Sequence, residues 1–341
     1  MSVLAQTLNT AVGTPLTIGD LLSPDTFITQ TINGIQQGFV LFLIASGLTV
    51  ILGILDVLNL AHGELYALGA FIASSVGGFL VGTGANAIMA PPTSFDPVSS
   101  FLFVLLLVLV AIVTALIMVP IGAIVETTLI RPIYERSQVY QLVLTFALLL
   151  IIADVIELVW GSDPRALEFA SKQAVNDIPS FELLGLSNIP TLVAMVIVVS
   201  LLLGLGLFWF FGRTKTGRII RATAIDREMA TALGVSTDRT FTLVFSLGAF
   251  LAGFAGAMQF IVTRAQPGMG EQALVLSFVV IVVGGLGSLR GAVVGAVVVG
   301  ILQNWMIVIN PSFQTAAPFA VMVLILLVKP DGLFGTWGER T

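Results

Sequence analysis

Long apolar runs, most of them about one bilayer deep, alternate with shorter polar stretches along nearly the whole chain. They fall at about Gly34–Leu55, Asp56–Gly82, Phe101–Val125, Val139–Val159, Ile189–Phe211, Phe241–Val262, Ala273–Leu286, Ala292–Ile309 and Ala317–Val328. A membrane-spanning helix needs roughly 20 predominantly apolar residues. A β-barrel would instead show strands of about ten residues with alternating polarity, and the run from Leu102 to Pro120 does not alternate. The pattern predicts an all-α fold, a polytopic transmembrane helical bundle with about nine spans, or eight if one short segment is re-entrant.

The polar stretches set an orientation. Arg213, Lys215, Arg218, Arg221, Arg227 and Arg239 crowd into the connector between Phe211 and Thr240, in a chain with 14 Lys+Arg in total. Short Arg/Lys-rich loops stay on the cytoplasmic side. With alternating crossings, the basic stretches at 126–138, 213–239 and 287–291 all fall inside, as does the C-terminus, and the N-terminus falls outside. Residues 1–32, polar and without Lys or Arg, read as an extracytoplasmic tail, and residues 33–341 as one transmembrane domain. The stretches 83–99, rich in proline, and 161–188, mostly acidic, read as outer loops.

Composition narrows the chemistry. The chain is 57% hydrophobic and 10% charged, against about 25% charged in soluble domains. It has no cysteine and one histidine, His62, so disulfides, thiolate chemistry and a histidine-based metal cluster are excluded. A sequence pI near 4.8 makes nucleic acid an unexpected partner, because phosphate binding draws on net positive charge. A Gly-x-Ser-x-Gly elbow, a His-Glu-x-x-His helix and a Walker phosphate loop are all missing, so no catalytic residue, metal or cofactor is expected in the chain. ATP-driven work would need another subunit.

Three groups of residues stand out. Asp56, Asn59, His62 and Glu64 interrupt two apolar runs; on a helix Asn59 and His62 would share a face, and Gly63 could let the backbone break and offer its polar groups to a solute. Ionisable groups inside a membrane usually face a cavity, so Asn59, His62, Gly63 and Glu64 are candidates for a solute pathway or gate. The plainer reading is an interfacial turn with Asp56 and Asn59 as caps. Asp154 and Glu157 near the end of a span could attract a cation, or simply reach outer water. In the basic connector, Ala232, Leu233, Gly234, Val235, Ser236, Asp238 and Arg239 close a short helix-capable run, with Gly234 as its stop and Ser236 or Thr237 as the next cap. That projection could fill a groove in a soluble partner, or be a solvated loop held by lipid phosphates. Small residues every fourth position, Gly248-Ala252-Gly256 and Gly287-Gly291-Gly295, read as close helix packing. An echo between Leu68–Gly77 and Leu247–Gly256 is either a relic of duplication or chance.

The stretches GLTVILGILDVLNLAHGELYALGAF (47–71), RATAIDREMATALGVSTDRTFTLVFSLGAFLAGFAGAM (221–258) and GGLGSLRGAVVGAVVVGILQ (284–303) resemble the branched-chain amino-acid ABC transporter permease family. The resemblance is in register over most of the chain. It implies a membrane subunit of a prokaryotic importer in the cytoplasmic membrane, paired with a second homologous permease, two cytoplasmic ATP-binding subunits and an extracytoplasmic solute-binding protein. It also implies that Ala232–Arg239 docks into the ATPase cleft. Branched-chain or other hydrophobic amino acids are the implied solutes, with urea or short amides as the alternative. From another class, a stand-alone channel or ion-driven carrier remains open.

Overall fold

The computed structural model describes residues 23–81, 97–166, 180–183 and 187–335. Helix α1 (Pro24–Leu55) is followed by α2 (His62–Val81), α3 (Pro97–Val125), α4 (Gln138–Trp160) and α5 (Thr191–Arg213). Two short helices, α6 (Lys215–Ile225) and α7 (Arg227–Ala232), lead into α8 (Thr237–Val262), α9 (Met269–Gly284), α10 (Leu289–Ile309) and α11 (Ala316–Val328). Among the described residues, seven helices are long and apolar enough to cross a membrane, and α9 and α11 are shorter apolar helices. These nine correspond to the nine runs read from the sequence.

The local structure departs from the expectations, or adds to them, at four places. The first span begins at Pro24, not Gly34, with Ser23 accepting the Thr26 N–H as its cap. Thr26, Thr29, Gln30, Thr31 and Asn33 hid this start, because they interrupt the apolar run in the first turns of the helix. Part of the presumed tail is therefore helix; residues 1–22 lie outside the described ones. The 161–188 stretch is not plain loop, since β1 (Ser180–Leu183) and β2 (Ser187–Pro190) form an antiparallel ribbon in register Ser180↔Pro190 to Leu183↔Ser187. After α3 the backbone widens into a π-turn (Glu126–Ile130) and then tightens into a 3₁₀ turn (Arg131–Ile133). Finally, Asp56–Ala61 is not helical, so Asn59 and His62 do not share a helix face. The 83–99 loop falls largely outside the described residues.

Helices α1 and α8 form the centre of the bundle, each 78% buried over its span, whereas α4 at the rim is 28% buried. Without an aqueous driving force inside lipid, close backbone approach does the packing. On α1, Gly34 and Gly38 lie against Gly300, Ile301 and Ala296 of α10. On α8, Gly248 meets Ile51, and Gly256 meets Tyr66 and Ala70 of α2. Gly284 and Gly291 touch across the α9–α10 break, where Gly285 and Gly287 take positive φ. The Gly248-Ala252-Gly256 stripe thus packs as expected, and so do Gly291 and Gly295, whereas Gly287 serves the turn between α9 and α10 and meets nothing within 4 Å. Exposed Val143, Phe146, Leu150 and Leu158 give α4 an apolar outer face.

The packing partners come in two matching sets. Helix α1 packs on α10 as α8 packs on α3; α2 touches α3 and α4 as α9 touches α10 and α11; and α1 meets α8, as α2 meets α9. Such correspondence is the mark of an internal structural repeat. The Leu68–Gly77 echo does not follow it. Its two copies lie on α2 and α8, side by side with Gly69 against Gly253.

Candidate functional site

The basic connector folds into a knuckle of two capped helices. Helix α6 starts on Thr214, whose hydroxyl accepts the Gly217 N–H, and α7 starts on Asp226, whose carboxylate accepts the Met229 N–H at 2.8 Å. Helix α7 ends in a double closure: Val235 N–H reaches the Ala230 carbonyl and Gly234 N–H that of Thr231. This closing pattern needs a left-handed residue after the helix, and Gly234 supplies it at φ 84°. Both ends of a six-residue helix are thereby fixed. The knuckle's surface is unusual for a charged segment: Ile225 at the end of α6 is 80% exposed, Met229 on α7 56% and Leu233 just after it 77%. Ala232, Gly234, Ser236, Asp238 and Arg239 are exposed too, and Val235 is half-buried.

Behind the knuckle lies a cluster the sequence did not reveal. Glu126 is fully buried. Its carboxylate accepts from Arg131 Nη2 at 2.9 Å and Nε at 3.2 Å, and from the Tyr134 hydroxyl at 3.1 Å. Thr242 Oγ1 on α8 sits 2.8 Å from the same carboxylate and accepts from Arg131 Nη2 at 2.6 Å. Burial first, and then the Glu126 charge, push the Tyr134 phenol above its usual range. The Tyr134 ring meets Phe241 edge-on at 5.2 Å, and the Arg227 guanidinium of α7 stacks over that same Phe241 at 4.7 Å. The only sequence hint was an acid at the end of an apolar run with arginine five residues on, the spacing a π-turn closes.

The Asn59–Glu64 group sits where four helices converge. Asp56, in the left-handed region at φ 54°, ends α1 as a cap. The chain then runs in a non-helical segment, whose Leu58 carbonyl accepts the Thr145 hydroxyl of α4 at 3.0 Å. His62 opens α2 with Nε2 donating to the Ile44 carbonyl of α1 at 3.1 Å, its ring beside Gly47. Gly63 abuts Gly270 of α9, and Glu64 lies against the same glycine. Two helices, opening as His62-Gly63-Glu64 and Met269-Gly270-Glu271, therefore start against each other. Asn59, His62 and Glu64 are buried, and both Asn59 amide atoms and His62 Nδ1 have no hydrogen-bond partner among the described residues. Asn59 is not a side-chain cap; only its carbonyl receives the His62 N–H.

A cavity of about 1260 Å³ opens at the arginine-bearing end, lined by Thr49, Asp56, Gln141, Arg221, Arg227 and Arg290 among others. Asn59, His62, Gly63 and Glu64 are not on its wall; Leu58, one residue away, is. Asp154 and Glu157 are exposed on the rim helix α4, away from the two clusters.

Comparison with known proteins bears on what this arrangement serves. The family model described as branched-chain amino acid transport system / permease component matches residues 30–327. The chain is 30% identical over 315 residues to the high-affinity branched-chain amino acid transport system permease protein LivH of Salmonella typhimurium, covering 91% of this chain and 96% of the relative. It is 27% identical over 319 residues to the corresponding BraD of Pseudomonas aeruginosa, with 91% and 96% covered. The ribose import permease protein RbsC of Escherichia coli is 26% identical over 328 residues, with 92% and 89% covered. No solved structure matches the chain.

Proposed function

This chain belongs to the branched-chain amino acid transport permease family, and on that footing we propose that it is the membrane-spanning subunit of an ATP-binding-cassette importer of the prokaryotic cytoplasmic membrane. In this reading it moves branched-chain or other hydrophobic amino acids inward. A second, homologous permease lies beside it, two ATP-binding subunits supply the work from the cytosol, and a solute-binding protein delivers from outside. The ribose permease among the relatives places sugars beside urea and amides in any solute panel.

The observation that carries the reading is the knuckle. A two-turn helix with both ends capped, showing Met229 and Leu233 to solvent amid arginines, is built to fill an apolar groove rather than to rest in water. Helix-in-groove contacts use such anchors, one turn apart. Closure of the ATPase pair would displace α7, and the displacement would reach the spans through α6 and α8, a two-state gate around a fixed path. The Asn59–Glu64 junction serves as that gate: α1, α2, α4 and α9 close around it, and a relative shift of those helices would open it.

Replacing Leu233, Gly234 and Val235 together by charged residues tests the assignment in vesicles holding the complete complex. The expected result is normal insertion, with uptake lost and ATP hydrolysis no longer stimulated by solute. Unchanged uptake would refute it. A carrier, by contrast, would transport when this chain is reconstituted alone.

A further inference from the structure

We propose that Glu126 is a positioning residue that locks the knuckle to helices α3 and α8, so that displacement of α7 moves these two spans as one body. The inference rests on the ATPase-docking reading of α7 and adds the connection through which that docking would act.

Each link is a short contact between different parts of the chain. Arg227, the first residue of α7, lies over the Phe241 ring, and Phe241 is buried in the first turns of α8. Tyr134 packs its ring edge against the other partner of this stack and gives its hydroxyl to Glu126. Glu126 in turn is held by Arg131 and sits 2.8 Å from Thr242, the residue next to Phe241. The carboxylate therefore joins the end of α3 to the start of α8 across more than a hundred residues of sequence. Just beyond this point Gly122 of α3 packs against Ser246 and Ala249 of α8, and the helices continue in contact through Gly253 against Met118. A displacement of α7 reaches that pair through Arg227 on Phe241 and through the chain into α8.

The π-turn is what makes the cluster. The Arg131 N–H closes on the Glu126 carbonyl, five residues back, and the wider turn brings a glutamate at a helix end fully indoors. Such bulges are frequent at functional positions. A buried carboxylate is costly unless it is paired and hydrogen-bonded, and here the charge of Arg131 and two hydroxyls surround it. A second thread leaves the same turn: Gln141 Nε2 lies 3.3–3.4 Å from the carbonyls of Ile133, Tyr134 and Arg136. Four residues along α4, Thr145 holds the Leu58 carbonyl beside Asn59. The cluster thus also touches the helix that pins the Asn59–Glu64 junction.

The test compares Tyr134→Phe, Glu126→Gln and the double variant with wild type in proteoliposomes containing the full complex. Solute uptake per ATP hydrolysed is read alongside the amount of assembled complex. The expected result is uptake per ATP reduced at least about fivefold, the lower end of usual coupling effects, with assembly retained. The double variant should be no worse than the worse single one. Tyr134→Phe removes one hydroxyl, so it reports even where Glu126→Gln fails to assemble. Wild-type uptake per ATP in an assembled Tyr134→Phe or Glu126→Gln complex overturns the inference alone. Transport by the wild-type chain without any ATPase overturns the inference together with the reading beneath it.

Discussion

Glycine positions separate contact from open space most sharply. A Cβ on Gly63 would run into the Gly270 carbonyl and the Leu274 side chain, whereas one on Gly53 would meet nothing within 4 Å. Gly63→Val should therefore force α2 and α9 apart and destabilise the protein by about 1–3 kcal/mol, the usual cost of overpacking. Gly53→Ala should leave thermal stability in detergent unchanged or slightly higher, since alanine is the better helix former. Equal melting temperatures for the two variants would contradict the close approach. At the same junction, Asn59→Ala and His62→Ala should each lower uptake at normal expression. Wild-type rates in both would remove the gate from the account. Composition exposed this group because polar residues between apolar runs are conspicuous. Its partners, Ile44, Gly47 and Gly270, were not readable, because small and apolar residues are common everywhere in this chain.

Single elements show why some structure could be read and some could not. Helix α7 was visible as a short run stopped by Gly234, and its N-cap Asp226 adds the second fixed end. Asp226→Ala removes that cap at about 1 kcal/mol and should weaken ATPase binding several-fold, measured as affinity of purified ATP-binding subunits for the reconstituted chain. Unaltered affinity would mean that a preformed α7 is not what docks. The seven long spans were readable because each exceeds the length any other apolar element requires, whereas α9 and α11 are shorter and were set off mainly by the polar breaks around them. The start of α1 was not readable, since Thr26, Thr29, Gln30, Thr31 and Asn33 break up the apolar pattern of its first turns and polarity then misleads. The Glu126 cluster was hidden for a different reason: Thr242 is 116 residues from Glu126 in sequence, and periodicity says nothing about contacts at that distance.

Taken whole, the protein is a pair of similarly packed four-helix sets, α1–α4 and α8–α11, with α5–α7 between them. The cavity and the knuckle share one end of this bundle, and the Asn59–Glu64 junction lies where the two sets meet. That layout suits a gate worked from one side. It also depends on which side the arginines occupy, which charge bias indicates and a labelling experiment decides. Because the chain contains no cysteine, a single Leu233→Cys substitution gives a signal without background. In intact cells a membrane-impermeant thiol reagent should leave this cysteine unmodified, and in inside-out vesicles it should modify it, with ATP-binding subunits giving protection. Modification from outside intact cells would place α7 on the wrong face and contradict the account.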